Sequence, residues 1–265
     1  MKRKPLITIL IALTATLILM SCKTGDVEGD KVWNDAVAPF RKSVDVGGYL
    51  LHYIDIGTGD PVLMIHGFVD SDYSWHKNYY ALMKAGFRLI MVDQPGLGRS
   101  DNPPEPYVYS IENQTAAIIK LTERLRLKRF HLIGHSMGGS IALNILVNHP
   151  SRVNRTIVIA PLCFGPQNFQ ILSMPGMKSI APKLGGRWAV KTGLEDAFYN
   201  SDLVDEVMVD ECARPFSRPG YYNTLISLEK DFFSPAFEKL TRSYGQILRP
   251  VFIIWGRNDT WVYES

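Results

Sequence analysis

The chain has 265 residues, enough for one large α/β domain without requiring a second. With 46% hydrophobic and 21% charged residues its composition is that of a globular protein, which excludes disordered, collagen-like and coiled-coil classes. The net charge is +3, but Lys2, Arg3 and Lys4 supply three positives and no acid occurs among residues 1–21. Taking those three from the 29 basic residues leaves 26, equal to the 26 acids, so the remainder has no basic field for a phosphate backbone. Nucleic acid is therefore not an expected partner.

The basic start is followed by a 15-residue apolar stretch, Leu6–Met20. A relaxed membrane helix needs about 20, so residues 1–21 read as an export signal. Leu19, Met20, Ser21 and Cys22 then resemble the lipobox of bacterial lipoproteins, with Cys22 as the lipidated residue. An uncleaved anchor is the alternative. Both place the protein outside the cytoplasm on a membrane, with residues 22–42 as a tether.

From Ser43 the patterns alternate. Ser43–Val46 and Tyr49–Ile56, around Gly47 and Gly48, predict an antiparallel hairpin. Short apolar runs then predict strands buried on both faces at Val62–Ile65, Leu89–Val92, Phe130–Ile133, Thr156–Ile159 and Val251–Trp255. Helical stretches lie between them at His76–Ala85, Ser110–Arg126 and Met137–Asn148. This alternation implies a mostly parallel sheet covered on both faces.

Residues 162–235 break the rhythm. They hold helical patterns at Asp202–Arg214 and Tyr221–Phe232 but no convincing buried strand. A segment of this length is too long for a bare loop and predicts a helical lid over the carboxyl edge of the sheet. Residues 43–161 and 236–265 would form the core. Phe164, Phe169, Met174, Met177, Trp188, Phe198 and Phe216 either line a substrate pocket or build the lid's own small core. Cys163 and Cys212 could form a disulfide or stay as separate thiols. No Cys/His cluster has metal-ligand spacing, and neither a metal nor a cofactor is expected.

Gly134, His135, Ser136, Met137, Gly138 and Gly139 follow an apolar strand and open a helical pattern. In that setting G-x-S-x-G is a strained turn that presents the Ser136 oxygen at the top of the sheet. The helix N-terminus beside it favours negative charge.

Here the chain resembles the α/β-hydrolase superfamily, in its branch of lidded esterases and carbon-carbon bond hydrolases. The likeness runs from about Val46 to Asp259. His66, Gly67 and Phe68 resemble the family's HG turn, and Asp93–Asp101 resembles its D-x-P-G-x-G-x-S loop, which is mainly structural there. The resemblance implies an oxyanion hole made by the backbone N–H groups of Phe68 and Met137. It also implies Asp259, after the strand that follows the lid, as the acid of a triad whose nucleophile is Ser136. A serine at the elbow argues against the carboxylate-nucleophile chemistry of related dehalogenases and epoxide hydrolases.

The family places its histidine well beyond the acid, whereas this chain ends six residues after Asp259. His52, His66, His76, His131, His135 and His149 all read as turn, packing or cap positions. The expectation is a C-terminally incomplete chain that lacks its general base and its last strand and helix. The main functional expectation is a membrane-anchored serine hydrolase of esters, thioesters or similar acyl compounds, working through an acyl-enzyme on a small apolar substrate. Carbon-carbon bond hydrolysis or perhydrolysis on the same residues, and a noncatalytic binding protein, are the alternatives. The oligomeric state is not legible.

Overall fold

A computed structural model describes residues 33–163, 186–232 and 235–262. Seven strands make one sheet: β1 (Arg41–Asp45), β2 (Leu50–Gly57), β3 (Asp60–Ile65), β4 (Phe87–Val92), β5 (Phe130–His135), β6 (Val153–Ile159) and β7 (Val251–Ile254). Their order is β1-β2-β4-β3-β5-β6-β7. β1 and β2 form the predicted hairpin, β2 runs antiparallel to β4, and β4, β3, β5, β6 and β7 are mutually parallel. The parallel strands therefore deliver all their C-terminal turns to one edge, where an open α/β sheet binds ligands.

Around the sheet lie helices α1 (Tyr79–Lys84), α2 (Ile111–Arg124), α3 (Met137–Asn148), α4 (Arg187–Ala197), α5 (Glu206–Ala213), α6 (Tyr221–Phe232) and α7 (Pro235–Ser243). Successive residues of a strand face opposite sides, and both sides here are apolar. Leu63, Ile65, Ile90 and Val92 pack with α2 and α3, whereas Val62, Met64, Leu89 and Met91 pack in a second cluster with Tyr73, Trp75 and the α1 residues Tyr79 and Met83. The architecture is that of the expected α/β-hydrolase fold, with helices on both faces and a helical insertion between β6 and β7.

Differences from expectation are local. The first predicted helix, His76–Ala85, is shortened to α1, and it is preceded by a 3₁₀ turn at Asp72–Trp75 that Ser71 caps by accepting a bond from the Tyr73 N–H. α4 and α7 were not singled out in the sequence. Part of the stretch read as a tether packs on the domain: residues 33–37 form a helical turn whose Trp33 and Val37 are buried, and β1 starts at Arg41. Trp33 stands edge-on to Tyr73 and Tyr79, with ring centroids 6.4 and 4.7 Å away.

In the lid, α6 buries Tyr221, Leu225, Leu228 and Phe232. Arg218, just before it, donates to the carbonyls of Gly98 (2.6 Å) and Ser100 (2.7 Å), which ties the lid to the loop after β4. Phe216 packs edge-on against Tyr221, and Phe198 joins the second cluster. Trp188 is 70% exposed. Phe164, Phe169, Met174 and Met177 lie outside the described residues. Cys163 and Cys212 are separate thiols.

Candidate active site

Ser136 sits between β5 and α3 with φ 50° and ψ −120°, a left-handed conformation that costs a non-glycine residue energy. Its own backbone holds it there. The Ser136 N–H donates to the Ile159 carbonyl (2.9 Å), and the Ser136 carbonyl accepts from Gly139 N (2.9 Å), Ser140 N (3.3 Å) and Leu162 N (3.1 Å). The end of β6 thus clamps the turn from one side.

β3 closes it from the other. A Cβ on Gly138 would lie 2.2 Å from the Ile65 carbonyl oxygen and 2.3 Å from that of His66. One on Gly134 would lie 2.3 Å from the Gly138 carbonyl oxygen. Both glycines therefore permit the close approach of β3, β5 and α3 on which the turn depends. Gly67 brings the HG turn to the serine, since a Cβ there would lie 3.3 Å from Ser136 Cβ. Phe68 follows directly, and the Met137 and Gly138 N–H groups stand at the start of α3 without intrahelical acceptors. Ser136, Phe68 and Met137 are thus brought to one place. The Ser136 hydroxyl has no hydrogen-bonding partner among the described residues.

Asp259 stands in the turn after β7, and β7 is held to β6 and its following turn by the bond from Ala160 N to the Ile254 carbonyl (2.8 Å). Its Oδ1 accepts from the Trp261 and Val262 N–H groups, both at 2.9 Å, so the aspartate orders its own turn through that oxygen. Asp259 acts electrostatically on His135, but no hydrogen bond joins the two. Burial lowers the proton affinity of His135 by more than Asp70 and Asp259 raise it, which favours a neutral imidazole beside Ser136.

His66 has a structural task. Its Nε2 accepts from Gln94 N (3.1 Å), which leaves the proton on Nδ1 to be donated to the Gly67 carbonyl (2.8 Å). The loop Asp93–Asp101 is likewise a scaffold. Asp93 accepts from Asp72 N (2.6 Å), Arg99 N (2.8 Å) and His52 Nδ1 (2.9 Å), and Ser100 Oγ donates to the Asp93 carbonyl (2.7 Å). Burial opposes the Asp93 charge, but the His52 bond and the Arg99 N–H hold its carboxyl below the ordinary range. Asp72 beside it is pushed up to about 7, first by burial and then by the Asp93 charge, with Arg41 and His52 pulling the other way.

His52, Asp72 and Asp93 offer metal-ligand atoms within 4.8 Å of one another. Those atoms are already engaged: Arg41 Nη1 is 2.7 Å from Asp72 Oδ2, and His52 holds Asp93. The cluster is internally neutralised and reads as scaffold rather than as a metal centre. Sequence reasoning missed Arg41, Asp72 and their partners; the only sequence signal was the Asp of the loop they surround.

Among known proteins, a family model described as alpha/beta hydrolase fold matches residues 60–263. A 2-hydroxy-6-oxo-6-phenylhexa-2,4-dienoate hydrolase from Comamonas testosteroni is 28% identical over 227 residues, covering 82% of this chain and 78% of that protein. A 2-hydroxy-6-oxononadienedioate/2-hydroxy-6-oxononatrienedioate hydrolase from the same organism is also 28% identical, covering 82% and 77%. Among solved structures, a meta-cleavage product hydrolase from Pseudomonas fluorescens IP01 superposes with a TM-score of 0.68 at 24% identity, covering 83% of this chain and 81% of that one. An epoxide hydrolase superposes at 0.72 with 22% identity, covering 82% of each, which speaks for the fold alone.

These relatives correct the main functional expectation. They are named as hydrolases of oxo-dienoates and meta-cleavage products, not of esters or thioesters, so the reading as a membrane-anchored serine esterase with an acyl-ester substrate is set aside. The lipoprotein and membrane localisation are set aside with it: no helix among the described residues is long and apolar enough to cross a membrane. Cys22 and the proposed signal lie outside the described residues. A strained serine turn closed by glycines, at the carboxyl edge of this sheet, stands within a match that spans most of the sequence, and the chain belongs to the α/β-hydrolase family.

Proposed function

We propose that this protein is a carbon-carbon bond hydrolase acting on 2-hydroxy-6-oxo-dienoates, with Ser136 as its nucleophile. The observation that carries the reading is the similarity to hydrolases of that substrate class over most of both chains. The local geometry supports it. Attack on the 6-oxo carbon places negative charge on its oxygen, and the backbone N–H groups of Phe68 and Met137 are the donors this reading assigns to it. In the keto tautomer, formed by moving the 2-hydroxyl proton to carbon 5, the bond between carbons 5 and 6 then breaks and its electron pair passes through the 3,4 double bond onto the 2-oxo oxygen. The resulting dienolate takes up the proton lost by Ser136, and water releases the acyl group from the serine as a carboxylic acid. Asp259 is the proposed acid of the triad; Oδ1 is committed to its turn, and Oδ2 carries no bond from it. The insertion that carries α4, α5 and α6 is the proposed lid over the substrate, and it would exclude water.

The test is turnover of 2-hydroxy-6-oxo-6-phenylhexa-2,4-dienoate, followed by loss of its dienoate absorbance and by release of benzoate, beside turnover of a short nitrophenyl ester. Cleavage of the dienoate, abolished by Ser136→Ala, is the expected result. Ester turnover with no dienoate cleavage would overturn the substrate class, and dienoate cleavage unaffected by Ser136→Ala would overturn the nucleophile.

A further inference from the structure

A polar chain that the reaction does not use runs from the lid to the turn beside the site. Glu211 of α5 is 7% exposed and accepts from Asn34 Nδ2 at 2.6 Å. Asn34 lies in the helical turn 33–37, and its Oδ1 accepts from Arg41 Nη2 at 2.9 Å. The other arm of the same guanidinium, Nη1, donates to Asp72 Oδ2 at 2.7 Å. Asp72, 3% exposed, opens the 3₁₀ turn that follows Phe68 and Asp70, and its N–H is held by Asp93 at 2.6 Å. Arg214 also donates to Glu211 Oε1 and closes the far end.

The apolar contacts follow the same path. Trp33 and Val37, from the same turn as Asn34, share one buried cluster with Tyr73 and Trp75 of the 3₁₀ turn and with Met208 of α5. Residues 33–41 are therefore wedged between the lid and the turn after the HG pair. A guanidinium fork that engages two acceptors in different elements fixes distance and orientation together.

We propose that Arg41 and Asn34 are positioning residues that hold lid helix α5 in register with the turn carrying Phe68. The lid's placement over Ser136 is then set by a segment that precedes the sheet, not by the lid's own connections alone. The importance of Phe68 rests on the proposed function, but the tie itself does not, and its test reads the tie directly.

Asn34→Asp preserves shape and keeps the acceptor for Arg41, but sets two carboxylates against each other at Glu211. Hydrogen exchange of the amides of 206–213 should quicken about tenfold from loss of one charge-assisted bond, and exchange of 67–72 should quicken with it. The double variant Asn34→Asp/Glu211→Gln reverses donor and acceptor across the pair while Glu211→Gln still offers Arg214 an acceptor, so protection of both segments should return. Exchange of β3 and β5 serves as the fold control, and Asn34→Ala, which adds no charge, replaces Asn34→Asp should that control move. Faster exchange in 206–213 with 67–72 unchanged would refute the coupling, and failure of the double variant to restore protection would refute the pairing. Loss of dienoate turnover with the exchange pattern intact would bear on the proposed substrate and leave the tie standing.

Discussion

Gly138→Ala is the sharpest test of how the serine turn is built. The added methyl would lie 2.2 Å from the Ile65 carbonyl oxygen and 2.3 Å from that of His66, both backbone atoms. An ordinary carbon-oxygen approach is about 3.3 Å, so α3 and the end of β3 must separate by about 1 Å. Core overpacking typically costs about 1–3 kcal/mol, and more where no flexible side chain can yield. With backbone on both sides the expected loss is about 3–5 kcal/mol, or roughly 6–20 °C in melting temperature for a domain of this size. The separation also moves Phe68 away from Ser136, so activity should fall in the protein that still folds. Gly193→Ala is the matched control, because no atom lies within 4 Å of a Cβ there and the residue is inside α4. It should stabilise by about 0.5–1 kcal/mol through helix propensity. Thermal and urea unfolding of the two variants beside the wild type decide the matter. A Gly138→Ala protein that melts with the wild type would refute the close approach.

Other outcomes follow from the same site. Ser136→Ala should abolish covalent labelling by a fluorophosphonate while leaving the melting temperature near the wild-type value, since alanine meets the same positive φ as serine; labelling that persists would place the nucleophile elsewhere. Asp72 has its folded-state affinity raised to about 7, so the folded chain holds a proton that the unfolded chain releases near pH 4. Its contribution to stability is therefore present below about pH 4 and lost as pH rises to about 7, by up to about 4 kcal/mol. Asp72→Asn should flatten this part of the stability-pH curve measured by urea unfolding, and an unchanged slope would show that Asp72 is ionised throughout. Burial pushes the Cys163 thiol up to about 11 and the Cys212 thiol higher still. Both should react slowly with a thiol reagent at pH 8 in the folded protein and quickly in urea; fast reaction in the folded state would contradict that burial.

The legible parts of the molecule were those fixed by local pattern. α3 spans Met137–Asn148 and α6 spans Tyr221–Phe232 as their periodicity predicts, because each begins and ends on signals carried within a few residues. The five parallel strands were visible as short, mostly apolar runs, as strands buried on both faces are, although β7 departs from that expectation with Phe252 and Ile253 43% and 50% exposed. α7 was missed for the opposite reason: it presents one narrow apolar stripe, including Phe237, on an otherwise polar helix. The serine turn was also local, and its glycines announced it. What the pattern could not give was the reaction class. Ester and carbon-carbon hydrolysis share the same serine and the same N–H groups, so a motif that specifies the attacking atom leaves the leaving group open, and what favours carbon-carbon hydrolysis is the similarity to an oxo-dienoate hydrolase over 82% of the chain.

The scaffold of the site escaped for a further reason. Asn34 and Glu211 are 177 positions apart, and Arg41 and Asp72 are 31 apart. Neither pair has a spacing that predicts it, because each meets only after the sheet has brought β1 beside β2 and the lid has folded across the carboxyl edge. An isolated arginine at the start of a strand has the same sequence signature whether it faces solvent or a buried carboxylate. The difference lies in Asp72, whose carboxyl is buried beside the Asp93 carboxylate and can ionise there only with a cation near it. Once the Asp93 loop is recognised as scaffold, the demand for a compensating charge follows from electrostatics. The identity of the residue that meets it, and its second task at Asn34, come only from the fold.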